Sequence, residues 1–376
     1  MTRIFISAGE SSGDKHAAEL IKGLKKNFSN LEIKGIGGRQ MQTQGADLIE
    51  SLESLEVMGF VEVAVKLPFF FALKKRILNF LGDWKPDLVI LVDYPGFNVS
   101  LAKKIKKYAS NCKLIYYVSP QFWAWKKERA RKLFPHIDLI LLFFQFEVDF
   151  YKSMEFNKIK YIGYPAKDNL VADVTEEELR SSLNIDKSSK IIGLLPGSRK
   201  QEFSRLLNPF IEIATMVRER IKKIHCIIAL AEGVSEKELP ELPDFITFVK
   251  NKTYSVMKYS SFVLVASGTA SLETSLFKTP NFVFYKMNTL NYYLIKTMIK
   301  VPYIAMSNLL VNEKIIPEYI QTWNTEEVAG KISFILSSEK ELNDFKKKLE
   351  RINIAVGEKG AIQRAANAIS DILKIP

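Results

Sequence analysis

Short apolar runs alternate with longer amphipathic segments along most of the chain. Residues 88–92 read Leu-Val-Ile-Leu-Val with no polar member, and 114–118 and 139–143 repeat that character. Such continuous runs mark parallel strands covered by helices on both faces, whereas half-exposed strands alternate. Runs at 3–8 and 32–36 open the series, with a helix over about 15–27 between them. A second series begins at 191–195 and continues through 226–231, 247–249, 262–265 and 281–284, again interleaved with helical periodicity. The pattern predicts an α/β fold of two Rossmann-like halves, each a doubly wound parallel sheet.

The two series are separated by a polar, helical stretch, 168–190, that follows Tyr164 and Pro165. The expected organisation is an N-terminal domain over 1–167, a second domain over 168–341, and C-terminal helices over 342–376. Those last helices would pack back on a domain or against a second subunit. A length of 376 residues exceeds what one hydrophobic core usually holds. In open α/β sheets ligands sit beyond the carboxyl ends of the strands, so two such halves should face a cleft, and strand exits are where chemistry is sought.

Composition changes this picture in three places. No run of about 18 apolar residues occurs, so no membrane span is expected. The first apolar stretch turns into Gly and Ser by residue 9, unlike a secretory leader. Cys112 and Cys226 are far apart and read as buried small hydrophobes in a reducing compartment. Lys and Arg number 54 against 42 Asp and Glu, a net +12 that favours nucleic acid, anionic lipid or phosphorylated substrates without choosing among them.

Four strand exits carry candidate chemistry. At 194–202, Gly197 and Ser198 let backbone N–H groups face outward at a helix start, and Arg199 adds a forked cation suited to phosphate oxygens. The alternative is a surface turn with a solvated arginine. At 266–273, Gly268 and Thr269 offer further backbone donors, with Ser267 or Thr269 as N-cap. Glu273 falls about one turn in, where a carboxylate suits vicinal ribose hydroxyls, or simply favours its own helix dipole. At 8–14, Glu10, Ser12 and Asp14 bring carboxylates and a hydroxyl suited to a sugar; the segment has neither G-x-G-x-x-G nor P-loop spacing. At 93–98, Asp93 leaves a buried strand, as a general base would, or forms a turn that caps the next helix.

Basic and aromatic residues mix in three stretches, 66–84, 122–134 and 292–303. Each alone reads equally as a core helix with a solvated basic face; three together favour an anionic membrane surface or a lipid-bearing substrate. No nucleic-acid motif appears, and nucleic acid is not expected as a partner. His16, His136 and His225 do not cluster and no H-E-x-x-H or D-x-D occurs, so neither metal nor cofactor is expected. A departing diphosphate would then be stabilised by Arg199 and helix N-termini.

Taken together, these segments resemble the lipid-A-disaccharide synthase family of inverting glycosyltransferases. The resemblance rests on S-A-G-E-S-S-G-D at 7–14, G-I-G-G at 35–38, V-M-G-F-V-E-V at 57–63, D-Y-P-G-F-N at 93–98 and Y-V-S-P-Q-F-W-A-W at 117–125. It continues with L-L-P-G-S-R at 194–199, S-G-T-A-S-L-E at 267–273, N-L-L-V at 308–311 and P-E-Y-I-Q at 317–321. Their order and spacing make the match specific over nearly the whole chain.

The resemblance implies a glycosyltransferase-B fold with the donor in the C-terminal half. The implied reaction joins UDP-2,3-diacylglucosamine to 2,3-diacylglucosamine 1-phosphate, giving a β-1,6-linked disaccharide 1-phosphate and UDP. It also implies a cytoplasmic protein peripheral at the inner face of the inner membrane, and a homodimer with exchanged C-terminal segments. Carried over by position, Arg199 holds the diphosphate, Glu273 the ribose, and Gly268 and Thr269 lie near the phosphates. Asn308, Glu10, Ser12 and Asp14 line the cleft, and Asp93 or Asp14 takes the acceptor's proton. Two departures stand out: Gly96 replaces a second acid common in the D-x-P-D-F-N motif, and Tyr164 replaces the His of G-H-P. Another glycosyltransferase-B enzyme, a UDP-sugar epimerase or a non-enzymatic basic lipid-binding protein are the rival readings.

Overall fold

The computed structural model describes residues 1–55, 60–124, 127–231, 233–296 and 301–373. The 57–59 part of one family motif, Trp125 and Lys126, and 297–300 of the third basic–aromatic stretch lie outside the described residues. The chain divides into two compact units, Met1–Asp168 with Glu358–Pro376, and Asn169–Gly357.

Unit 1 is built on seven parallel strands, β1 (Thr2–Ala8), β2 (Leu31–Gly37), β3 (Asp47–Ser51), β4 (Leu88–Val92), β5 (Lys113–Tyr117), β6 (Leu139–Leu142) and β7 (Ile159–Tyr161), in the order β3-β2-β1-β4-β5-β6-β7. Unit 2 has six, β8 (Lys190–Leu195), β9 (Ile224–Leu230), β10 (Ile246–Lys250), β11 (Phe262–Ala266), β12 (Asn281–Tyr285) and β13 (Glu318–Ile320), in the order β10-β9-β8-β11-β12-β13, also all parallel. Both orders run outward in two directions from their first strand, which creates a switch point between β1 and β4 and another between β8 and β11.

The central strands are buried throughout, as their aliphatic composition requires: every residue of β4 and of β11 is buried. Unit 1 packs Val89, Leu91, Leu101, Leu114 and Tyr116 into one core, and unit 2 packs Leu194, Phe210, Ile228, Leu264 and Phe284 into another. Burying side chains of this size stabilises each by roughly 1.5–3 kcal/mol relative to exposure.

The apolar runs locate ten of the thirteen strands. The other three, β3, β7 and β13, are all sheet edges of three to five residues with no fully buried position. An edge strand with one solvated side has no reason to be uniformly aliphatic, so its signal is weak. The expected strand over 114–118 ends one residue early, because Val118 takes φ 62. The C-terminal helices expected over 342–376 begin at Glu339 and divide between the two units. Helix Glu339–Val356 belongs to unit 2, while helix Ala361–Leu373 belongs to unit 1 and lies against helix Ser11–Asn27.

Candidate active site

In unit 1 the motifs at 8–14 and 93–98 leave the paired ends of β1 and β4, where Ala8 lies opposite Val92. They flank the switch point, and the strands between them are held by one side chain. Asn98 is fully buried; its amide donates to the carbonyls of Ser7, Val92 and Asp93, and it accepts a 2.6 Å bond from the Ser7 hydroxyl. The Asp93 peptide is held on further sides. Its N–H donates to the Tyr117 carbonyl at 3.1 Å, and its carbonyl accepts from the Tyr116 hydroxyl at 2.6 Å.

Asp93 and Tyr94 both adopt left-handed backbone, φ 44 and φ 48, and Val118 at the next strand exit does the same. Such conformations cost of order 1–3 kcal/mol each for non-glycine residues and persist where surrounding bonds over-determine them. The Tyr94 ring lies where a Cβ on Gly9 would be, 2.2 Å from its Cδ1, so only glycine at position 9 lets the two exits close together. Burial, with the nearby Glu10 carboxylate adding to it, pushes the Tyr94 phenol up to about 12. Glu10 is the N-cap of helix Ser11–Asn27 and is half-buried, as is Ser12 in the first turn.

Asp14 has a different setting. It is 4% exposed, and its carboxylate accepts from the backbone N–H groups of Gly38, Gln40 and Met41 at 2.8, 3.0 and 3.1 Å. It therefore caps the short helix Arg39–Thr43 that follows the G-I-G-G segment. Glu147, absent from the sequence reading, is buried near Asp93; burial pushes its carboxyl up to about 7, with Phe143 and Phe144 N–H bonds opposing and the Asp93 charge reinforcing. Tyr164 is buried against aromatic partners, stacked on Phe144 at 5.6 Å and edge-on to His16 and Phe143.

In unit 2 the motifs at 194–202 and 266–273 leave β8 and β11, again adjacent, with Leu195 opposite Val265. Gly197 has φ +119, and a Cβ there would meet the Glu202 Cβ at 2.8 Å. Ser198 and Arg199 are exposed, and Arg199 is the N-cap of the 21-residue helix Lys200–Arg220. Its guanidinium lies 3.5 Å from Glu202, an exposed contact of small energetic weight. The second helix, Thr269–Leu276, has Gly268 as N-cap with φ 152, so neither Ser267 nor Thr269 holds that position. At neither helix start, at neighbouring strand ends, does the N-cap residue's own side chain cap the first N–H groups.

Glu273 is 4% exposed, and its carboxylate accepts a 2.8 Å bond from the Tyr254 hydroxyl. Tyr254 comes from the helix after β10, a strand exit that carries no motif. Tyr285, the last residue of β12, is a second residue the sequence did not single out. Burial raises its phenol, Glu202 adds to that, and Arg199 and Arg205 oppose it, so it neighbours the arginine cluster. Asn308 is fully buried inside unit 2. Its amide donates to the Ile316 carbonyl and to Glu318, and accepts from the Ile316 N–H, while Glu318 also accepts from Ile304 and Ala305. Among the described residues no group of three or more His, Cys, Asp or Glu could hold a metal ion.

Two doubly wound parallel sheets, each with its motifs at the switch point, define a glycosyltransferase-B type of fold. Solved structures agree with it: S. aureus MnaA in its UDP co-structure superposes with a TM-score of 0.66 at 13% identity, covering 100% of this chain and 98% of that one. The calicheamicin glycosyltransferase CalG4 gives 0.64 at 12%, covering 100% and 98%. At such identities the likeness speaks for the fold alone, which epimerases and transferases share.

Sequence relatives decide between them. The family model described as Lipid-A-disaccharide synthetase matches residues 4–372. The chain is 33% identical over 386 residues to the lipid-A-disaccharide synthase of Persephonella marina, covering 99% of each. It is 37% identical over 352 residues to that of Wigglesworthia glossinidia brevipalpis, covering 92% of this chain and 91% of the relative. The chain belongs to the lipid-A-disaccharide synthase family, and it is a hexosyltransferase that forms the lipid A disaccharide.

Proposed function

We propose that unit 2 holds the UDP of a UDP-2,3-diacylglucosamine donor and that unit 1 supplies the base for a 2,3-diacylglucosamine 1-phosphate acceptor. The observation that carries the donor reading is the pair of helix N-termini at the adjacent exits of β8 and β11, neither capped by its own side chain. Backbone N–H groups and helix dipoles there favour a diphosphate, and Gly197, Ser198, Gly268 and Thr269 supply the backbone that approaches it. Arg199 adds a cation whose interaction strengthens as negative charge builds on the departing phosphate. Glu273, oriented by Tyr254, suits the ribose hydroxyls, and Ser267 stands at the mouth of the same turn.

Asp93 is the general base in this reading. It removes the proton of the acceptor 6-hydroxyl as that oxygen attacks the anomeric carbon, UDP leaves from the opposite face, and the configuration inverts. Asp14 is a positioning residue, since three backbone N–H groups already occupy its carboxylate. Glu10 and Ser12 face sugar hydroxyls, and Asn308 positions the segment around it.

The direct test supplies labelled donor and acceptor and separates the product. Disaccharide 1-phosphate should form, Asp93→Asn should cut kcat at least a hundredfold, and Arg199→Ala should raise the barrier by about 2.7–4 kcal/mol. Near-normal turnover in Asp93→Asn sinks the base assignment; an unchanged rate in Arg199→Ala removes it from the diphosphate site.

Membrane contact belongs to the same proposal. Among the described residues no helix is long and apolar enough to cross a membrane. Helix Phe60–Trp84 buries Leu73, Ile77 and Leu81 but exposes Leu67 and Phe71, four residues apart, at 45% and 61%. With Lys66, Lys74, Lys75 and Arg76 nearby, that surface suits the inner face of an anionic bilayer, from which acylated substrates would be drawn. A homodimer that exchanges the C-terminal helices is the proposed assembly.

A further inference from the structure

The face of helix Pro95–Tyr108 that carries Gly96, Ser100 and Lys103, at spacings of four and three, borders a cavity of about 410 Å³. Phe122 also lines it, as do Arg129 and Lys132, three apart at the short helix Glu128–Arg131. The volume falls in the range of small-ligand pockets. Among the described residues its lining holds three cations, one hydroxyl and no carboxylate. Charge of one sign converging in a concave site focuses the field there, and the first turn of a 14-residue helix adds its positive end at Gly96. A Cβ at Gly96 would meet no atom of the described residues within 4 Å, which leaves room for a ligand there.

We propose that this cavity binds a phosphate monoester, the 1-phosphate of the acceptor sugar. The assignment rests on the reading of Asp93 as base, because the cavity begins two residues beyond it at the same strand exit. Lys103 and Lys132 act as point charges, and Arg129 offers a planar fork for two phosphate oxygens. Ser100 can donate to the third. The apolar wall formed by Val99 and Phe122 suits the sugar ring and the start of an acyl chain. The enzyme thereby selects a phosphorylated acceptor over a dephosphorylated one.

The test compares kcat/KM for phosphorylated and dephosphorylated acceptor in the wild type, in Lys103→Ala, Arg129→Ala and Lys132→Ala, and in the triple variant. The wild type should prefer the phosphorylated acceptor by tenfold or more. The single variants should erode that ratio, the triple variant should bring it close to one, and Lys103→Arg should keep it. UDP affinity, measured by calorimetry, serves as the folding and donor-site control. A wild type that does not discriminate, or a ratio that stays intact in the triple variant, overturns the proposal. Binding to phosphatidylglycerol vesicles distinguishes the other source of phosphate: variants that lose vesicle binding while keeping the acceptor ratio would assign these cations to lipid headgroups instead. If no disaccharide formed at all, the proposed reaction would fall, and the cavity would be read separately with glucosamine 1-phosphate. A ³¹P shift perturbation present in wild type and lost in the triple variant supports the site; none in wild type overturns it.

Discussion

Asn98 and Asp14 are buried polar side chains whose hydrogen bonds hold the backbone around two motif segments. Asn98 uses its whole amide to join the ends of β1 and β4, so Asn98→Ala leaves the Ser7 hydroxyl and several carbonyls without their partner. Losing such bonds costs roughly 1–3 kcal/mol, and freeing the Asp93 peptide should lower kcat about tenfold or more while UDP binding persists. Steady-state kinetics beside calorimetry of UDP checks the split. Asp14→Asn should behave in the opposite way. An amide cannot offer acceptors on both of its heavy atoms, so one of the three N–H groups loses its bond, and the denaturation midpoint should fall by more than kcat does. A large kcat loss with unaltered stability would return Asp14 to the chemistry. Both residues are legible as motif members, but the part of Asp14 is not, because the segment after β2 that folds over its carboxylate lies more than twenty residues away.

At the level of elements, the last helix illustrates what packing adds to pattern. Ala361, Ala365, Ala366, Ala368 and Ile369 are buried, a small-residue stripe at helical spacing that lets helix Ala361–Leu373 approach helix Ser11–Asn27. Asp168 caps it, accepting from the N–H groups of Gly360, Ala361 and Ile362 at 2.6, 3.2 and 2.9 Å, and Arg364 donates to the Ile162 carbonyl. Asp168→Ala should loosen this helix by about 1 kcal/mol, in the range for a lost cap, and speed amide exchange over 361–373. Unchanged exchange there would mean the apolar stripe suffices alone. Amphipathic periodicity announces these helices over 342–376, yet the division between two units depends on the break at Gly357 to Gly360 and on Asp168, nearly two hundred residues away.

For the whole molecule, buried ionisable groups set how stability follows pH. Burial, with a smaller contribution from the Lys15 charge, lowers His16 to about 4, while the unfolded chain titrates near 6.5. Between those values the unfolded state binds the extra proton, so stability falls as pH drops through the window, by on the order of 3 kcal/mol in total. Glu147 runs the other way: folded at about 7 against 4.5 unfolded, it weakens the fold as pH rises through that range. His16→Phe should flatten the acid-side loss and Glu147→Gln the neutral-side one, in denaturant titrations at a series of pH values. Identical profiles in wild type and variants would show that neither group governs the dependence. The net charge of +12 belongs to this scale too, since binding to anionic vesicles should weaken steeply with salt.

The sequence by itself determined the class of fold and the family. Strands buried on both faces must be aliphatic throughout, and that leaves a mark that local reading recovers. Edge strands β3, β7 and β13 left none, because their outer sides are free to be polar. Only the tertiary structure decided which motifs share a switch point, since β1 meets β4 and β8 meets β11 across long stretches of chain. The same applies to Tyr254 beside Glu273, to Tyr285 beside Arg199, and to the cations around Gly96. Their neighbours are brought together by sheet order and helix packing, and no spacing along the chain encodes a contact made that way.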